Sequence, residues 1–137
     1  MSNSYTTQEM ANLTGFSIHT LRYYENIGLL DEVTRLDNGH RRYDDLDLRR
    51  LNFVKRLKAT GMPISEMVYY VELFREGDST MLERYIILRE HRAKVQAQVD
   101  ELYETLDFLD MKLRNYEAQG CYFDETMDTS QKQQETT

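Results

Sequence analysis

The stretch MLERYIILREHRAKVQAQVDELYETLDFLDMKLRNY, residues 81–116, carries the strongest periodic signal in the sequence. Eleven positions follow one another in alternating steps of four and three residues, and ten of them are apolar. A heptad pattern sustained over about five repeats predicts a coiled coil. The stripe consists of Met81, Tyr85, Leu88, Arg92, Val95, Val99, Leu102, Leu106, Leu109, Leu113 and Tyr116.

A helix of about 38 residues would be about 57 Å long at a rise of 1.5 Å per residue. No other predicted helix of the chain is long enough to cover a stripe of that length, so the stripe needs a partner. The simplest partner is the same helix from a second copy. We therefore predict a homodimer in which the apolar stripe residues form the contact, while the polar Arg92 helps to fix the register.

The residues before this helix predict a helix-turn-helix. Thr6 and Glu9 fit a capping box, and Gly15 is expected to end the short first helix. Ser17 is a good N-cap for a second helix that runs to Gly28. In helix-turn-helix proteins the start of the second helix enters the major groove. The residues there are Ser17, His19, Thr20, Arg22 and Tyr23.

A hairpin is predicted directly after the second helix. Asn38-Gly39 is a strong hairpin signal, and we expect positive φ at both residues. Arg35 precedes the turn, and Arg41 and Arg42 follow it. Beside a helix-turn-helix, a hairpin that presents arginines is a wing, although a surface hairpin with solvated charges is the alternative. Tyr43 is expected to pack at the base of the wing.

Two further helices connect the wing to the long helix. Asp44 or Asp45 is expected to cap the third helix, and Pro63 to start the fourth. The fold is therefore predicted to be mainly α, with a winged helix-turn-helix, a small β-hairpin, a helical pair and a long dimerisation helix. We expect a DNA-binding domain at 1–77, the dimerisation helix at 79–118, and a polar, largely disordered tail at 119–137.

The charge is distributed unevenly along the chain. The formal net charge is -7. Residues 1–62 contain nine Lys or Arg and eight Asp or Glu, a net charge of +1, whereas residues 63–137 contain eight and sixteen, a net charge of -8. Affinity for phosphates depends on local charge, so an acidic C-terminal half does not exclude nucleic acid as the partner.

Several classes of protein are disfavoured by the same sequence. The three histidines, His19, His40 and His91, are scattered without metal-ligand spacing, and no nucleophile is paired with a base, so we expect no enzyme, metal or cofactor. No apolar run could span a membrane and no signal peptide is evident, which favours a cytoplasmic protein. A coiled-coil adaptor is a stronger alternative to a DNA-binding protein than an enzyme is, but an adaptor would not need a basic hairpin.

The residues resemble the MerR family of bacterial transcriptional regulators. The resemblance rests on Thr20-Leu21-Arg22-Tyr23-Tyr24-Glu25, on Gly28-Leu29-Leu30, and on Arg35, Asn38-Gly39, Arg41 and Tyr43. It continues through the third helix into the long one and covers roughly residues 5–118. This chain departs from the common family pattern at Glu32, His40 and Pro63, and His40 leaves one DNA-facing position in question.

The resemblance implies a mechanism and a set of contacts. It implies a symmetric dimer, joined by an antiparallel coiled coil, that binds a palindromic operator in a promoter whose -35 and -10 elements are spaced too far apart. Bending and untwisting that DNA lets RNA polymerase use the promoter. A repressor or an architectural DNA binder is the alternative. The resemblance also implies DNA contacts, chiefly to phosphates, by Tyr23, Tyr24, Arg41 and Arg42, although one of the two tyrosine rings could instead pack inside the domain.

Cys121 is the one candidate sensor, because it lies where metal-sensing relatives place their cysteines. Metal sites of that kind need at least two thiolates, so a redox role or no role at all are the alternatives. We also expect no added ligand-binding domain of the kind that drug-sensing relatives carry. The sequence therefore identifies no effector. Any small-molecule site is expected either at the dimer seam, where the two apolar stripes meet, or in the tail.

Overall fold

The computed structural model describes residues 3–31 and 33–122. The fold is mainly helical, as the sequence predicts, and it contains a small three-stranded sheet. Glu32 and residues 123–137, which include most of the predicted tail, lie outside the described residues. The elements in chain order are β1 (Ser4–Tyr5), α1 (Thr7–Thr14), α2 (Ile18–Asn26), β2 (Thr34–Arg35), β3 (Arg41–Asp44), α3 (Asp45–Ala59), α4 (Ile64–Glu76), a 3₁₀ turn (Asp78–Thr80) and α5 (Met81–Ala118).

Helices α1 and α2 start where their capping residues predict. The Glu9 amide donates to Thr6 Oγ1 at 3.1 Å, and the Thr6 amide donates to Glu9 Oε1 at 3.2 Å, which completes the capping box. Gly15 ends α1 with a φ of 81°, a left-handed conformation that glycine adopts without steric cost. Ser17 Oγ accepts the Thr20 amide at the start of α2. Local capping therefore fixes both helices and the turn between them.

The sheet contains one strand that the sequence did not predict. Strand β3 lies in the middle and pairs antiparallel with β1 on one side and β2 on the other. Tyr5 faces Tyr43 in the first pair, and Arg35 faces Arg41 in the second. The Tyr5 hydroxyl also donates to Asp45 Oδ1 at 2.6 Å, so β1 is fixed to the start of α3 as well as to the sheet.

The hairpin turn differs from the prediction. Positive φ occurs at Gly39, with a value of 83°, but not at Asn38. The Gly39 amide donates to the Leu36 carbonyl at 2.8 Å, and the Leu36 amide donates to the His40 carbonyl at 2.9 Å. The loop therefore has three residues, with a tight turn followed by a left-handed glycine. Asn38 needs no strained backbone, and its side chain accepts the His40 amide instead.

Asp44, rather than Asp45, is the N-cap of α3. Its Oδ1 accepts the Asp47 amide at 2.9 Å, and Asp47 Oδ2 accepts the Asp44 amide at 3.0 Å. Residues of α3 and α4 pack together with residues of α1, α2 and the sheet in one buried core. The core cluster consists of Met10, Leu21, Tyr24, Leu29, Leu30, Val33, Tyr43, Leu51, Val54, Leu57, Met62, Met67 and Val71.

Helix α5 is continuous for 38 residues, as the heptad pattern predicts. The chain divides into two compact units, Met1–Ala93 and Lys94–Thr137, so the first turns of this helix belong to the N-terminal unit. Within that unit Ile87 and Leu88 pack against the core, and His91 Nε2 lies 2.7 Å from Thr60 Oγ1. In the other unit stripe residues are exposed in the single chain. Leu102 is 64% exposed and Leu106 is 53% exposed.

The capping pair at α3 generates a pH-dependent prediction. Burial raises the pKa of the Asp47 carboxyl to about 6, whereas the same group has a pKa of 3.8 in the unfolded chain. The folded protein therefore binds the carboxyl proton of Asp47 more tightly than the unfolded chain does. The stability that this proton contributes is complete below the unfolded pKa and is lost as the pH rises through about 6. Asp47→Asn keeps a cap acceptor but has no such loss. The unfolding temperature of the variant should therefore rise relative to that of the wild type when the pH is raised from about 4.5 to about 7.5.

Asp31→Asn is the control for this measurement. Burial raises the pKa of Asp31, but hydrogen bonds and charges from Arg75 and Arg50 outweigh burial and hold it below 3.8. Its stabilising effect is therefore present above its unfolded pKa and is lost only as the pH falls through the lower folded one. Asp31→Asn should lower the unfolding temperature equally at both pH values. Equal pH dependence of the two variants would contradict the assignment.

Candidate nucleic-acid interface

One cleft brings the start of α1, the start of α2 and the hairpin to the same surface. It has a volume of about 470 Å³. Four predicted DNA contacts lie together in its lining, although they are up to twenty positions apart in the sequence. They are Arg22, His40, Arg41 and Arg42. The remaining lining residues are Thr6, Thr7, Gln8, Ile18, Leu36 and Asn38.

The exposed face of α2 carries the groups that are free to contact a ligand. His19, Arg22 and Tyr23 are exposed. Ser17 and Thr20 are already used in the cap, where Ser17 Oγ accepts the Thr20 amide at 3.0 Å and donates to Thr20 Oγ1 at 2.9 Å. Within the described part of the chain, Arg22 makes no hydrogen bond or ion pair, so its guanidinium can donate to a base edge.

The two wing arginines at the start of β3 have partners within the fold. Arg41 Nε donates to Glu25 Oε2 at 2.9 Å, which joins the wing to the end of α2. Arg42 Nε donates to Ser4 Oγ at 2.9 Å, and its NH2 group donates to the Ser4 carbonyl at 3.2 Å. Arg35, on the opposite strand, is exposed. The wing is therefore held at a fixed position beside α2 and the first strand.

The two adjacent tyrosines of α2 have different environments. Tyr23 is 47% exposed, whereas Tyr24 is 2% exposed and meets the ring of Phe16 edge to face at 5.2 Å between centroids. Tyr24 is therefore the ring that packs inside the domain, which is the alternative that the sequence left open, and its contact with DNA stays a prediction. Tyr43, 1% exposed, packs at the base of the wing as predicted.

Sequence reasoning missed the contribution of α1 to the cleft. The helix begins with Thr7 and Gln8 at the wall of the cleft, and amides at a helix N-terminus attract anions. The capping box at Thr6 marked this N-terminus in the sequence, but nothing local showed that it would face the wing. Glu25 and Ser4 were also missed, because their roles depend on pairing with the distant β3.

Cys121 lies just beyond the end of α5 and is exposed. In the ranges 3–31 and 33–122 no group of three or more His, Cys, Asp or Glu side chains is placed to hold a metal ion. None of the helices in those ranges is long and apolar enough to cross a membrane.

Two family models match the chain in overlapping segments. A model of the MerR HTH family regulatory proteins matches residues 5–72, and a model described as MerR, DNA binding matches residues 48–111. The chain belongs to the MerR family. An uncharacterized HTH-type transcriptional regulator from Haemophilus influenzae is 38% identical over 114 residues, which are 83% of this chain and 84% of that protein.

Solved structures of MerR family members share the fold. The regulator HiNmlR, described as lacking the sensor domain and crystallised with promoter DNA, is 37% identical, with a TM-score of 0.77 over 85% of this chain and 92% of its own. A MerR regulator from Listeria monocytogenes is 34% identical, with a TM-score of 0.77 over 82% and 86% of the two chains. This MerR protein is thus a DNA-binding transcription regulator.

The different environments of Tyr23 and Tyr24 generate a prediction. Tyr24→Ala removes a buried ring and should lower the free energy of unfolding by about 3–5 kcal/mol. Tyr23→Ala removes a half-exposed ring and should leave stability nearly unchanged while it weakens binding to duplex DNA. Denaturant unfolding and a binding titration of both variants would check this. A Tyr23 variant that is destabilised as much as the Tyr24 variant would contradict it.

Proposed function

We propose that the protein acts as a homodimer on a palindromic promoter operator and activates transcription by distorting the DNA for RNA polymerase. Each protomer would place α2 in the major groove and its wing on the adjacent backbone. The observation that carries the proposal is that one cleft is lined both by Arg22 of α2 and by Arg41 and Arg42 of the wing. We place this activity in the cytoplasm, where promoter DNA is available.

The chemistry of the cleft supports a division of work between its residues. Arg22 is exposed and has no partner among the described residues, which suits a bidentate contact with guanine O6 and N7. Arg41 and Arg42 are fixed by Glu25 and Ser4, which suits contacts to phosphates at a constant position. His19, Tyr23, Arg35 and His40 would supply further contacts from the two sides of the same surface. Thr20 would add one through its hydroxyl hydrogen, since Thr20 Oγ1 only accepts in the cap.

The exposed stripe supports dimerisation through α5. A single protomer leaves Leu106, Leu113 and Tyr116 more than half exposed, and such an apolar stripe needs a partner helix. We assign residues 79–118 to this contact and residues 1–77 to DNA binding. An antiparallel pairing would place the two DNA-binding units at opposite ends of the coiled coil, which suits two operator half-sites.

Salt-dependent binding tests the assigned contacts. The test uses a DNA duplex that contains the promoter immediately upstream of the gene, and a scrambled duplex of the same length. Arg41→Ala and Arg42→Ala should weaken binding to both duplexes alike. Each should also reduce the slope of log K against log salt by about 1, because a phosphate contact releases counterions. Arg22→Ala should lose about 1–3 kcal/mol preferentially on the promoter duplex. The measurement is a salt titration of both duplexes by fluorescence anisotropy.

Arg89→Ala is the matched control, because Arg89 is an exposed arginine of α5 outside the cleft. It removes the same charge and should change neither the slope nor the sequence preference. Wing variants that bind both duplexes as tightly as the wild type would refute the proposed interface.

Leu106→Glu tests the dimer. The substitution places a charge in the proposed seam, where burial without a partner is costly, so the variant should be monomeric and lose operator binding. Light scattering should give about twice the chain mass of 16.4 kDa for the wild type and a value near 16.4 kDa for the variant. Glu104→Gln, on the outer face of the same helix turn, should remain dimeric. A monomeric wild type at micromolar concentration would overturn the model.

A further inference from the structure

A second cavity lies between α3 and α4, apart from the basic cleft. Its volume is about 330 Å³, at the lower end of the range for small-molecule sites. Phe53 and Tyr70 meet within its lining, with 5.5 Å between ring centroids. The full lining consists of Leu46, Arg49, Arg50, Phe53, Tyr70, Val71 and Phe74. The cavity therefore combines five apolar or aromatic side chains with two guanidinium groups.

Positive charge is concentrated around this cavity. Asp31 accepts from Arg50 NH1 at 2.9 Å and from Arg75 Nε at 2.8 Å, so one carboxylate is shared by two guanidinium groups. In residues 3–31 and 33–122, Arg49 has no ion-pair partner although it lines the cavity and is exposed. The lining itself includes no acidic residue within those ranges. Asp45 also lies near Arg49, whose charge helps to lower the pKa of that carboxyl. Three guanidinium groups therefore face two carboxylates, which leaves the local charge positive.

Two guanidinium groups lie close to the ring of Phe74, which is part of the cavity lining. The Arg50 guanidinium lies 5.6 Å from the ring centroid, and the Arg84 guanidinium lies 5.2 Å from it. Arg84 donates to Thr80 Oγ1 and to the Gly77 carbonyl, both uncharged acceptors. Two cations therefore flank one half-exposed aromatic ring, an arrangement in which a nearby anion is favoured electrostatically.

We propose that this cavity binds a small amphipathic carboxylate, with its apolar part against Phe53, Tyr70 and Phe74 and its carboxylate on Arg49. The aromatic walls distinguish the site from a contact for DNA phosphates, which needs cations but no apolar cavity. The volume suits a phenylalkanoate or a short fatty acid rather than a macromolecule. This location differs from the dimer seam and the tail, where the sequence led us to expect a small-molecule site.

A single-tryptophan reporter can test the site directly. The chain contains no tryptophan, so Phe74→Trp would place the sole indole at the cavity wall. Titration of this full-length variant with 4-phenylbutanoate should give a saturable change in fluorescence. The uncharged 4-phenylbutanamide, which has the same ring and chain length, should bind at least about tenfold more weakly because it lacks the carboxylate. Calorimetry on the wild type provides the same comparison without the substitution.

Arg49→Gln should weaken binding of 4-phenylbutanoate about tenfold and should leave the amide unaffected. Arg56→Gln is the matched control, since Arg56 is exposed on the same helix but does not line the cavity. Absence of saturable binding, or equal affinity for the acid and the amide, would overturn the proposal. So would an Arg49 variant that loses affinity for scrambled duplex DNA but binds the carboxylate normally. None of these binding assays of the carboxylate depends on operator recognition, so their failure is distinguishable from failure of the proposed regulatory function.

Discussion

The register of the central strand β3 fixes the positions of the two wing arginines, Arg41 and Arg42, at the DNA-binding cleft. Tyr43 points into the core, while Arg41, Arg42 and Asp44 reach α2, β1 and the N-terminus of α3 in turn. Side chains of a strand alternate between its two faces, so a shift of one residue would exchange Tyr43 for a charged neighbour in the core. The free-energy cost of burying that charge holds the wing, α2 and α3 in one arrangement.

The parts of the fold that the sequence predicted depend on local chemistry. The caps at Thr6 and Ser17 need only neighbouring amides, and the heptad stripe of α5 needs only helical periodicity. Both kinds of signal can be read within a few residues. The same holds for the wing, whose Asn38-Gly39 pair marks the turn even though Gly39 alone takes positive φ.

The parts that were missed depend on contacts between distant residues. β1 is only two residues long and has no periodicity, and its existence follows from pairing with β3 some forty positions later. Adjacent Tyr23 and Tyr24 have identical side chains, so their exposure is decided by the direction in which α2 faces the core. The arginine cluster around Asp31 likewise forms only when three separate segments meet. Sequence patterns identify such residues as polar but not as neighbours.

The ion pair between Arg41 and Glu25 has a consequence for the thermodynamics of DNA binding. It occupies Nε of the guanidinium, and an arginine has five N–H donors, so the remaining ones can still meet a phosphate. An arginine that is already ordered loses less conformational entropy on binding, a saving of about 0.5–1.5 kcal/mol for a side chain of this kind. Glu25 lowers the local positive charge at the interface, but it also orders the Arg41 side chain before DNA binds.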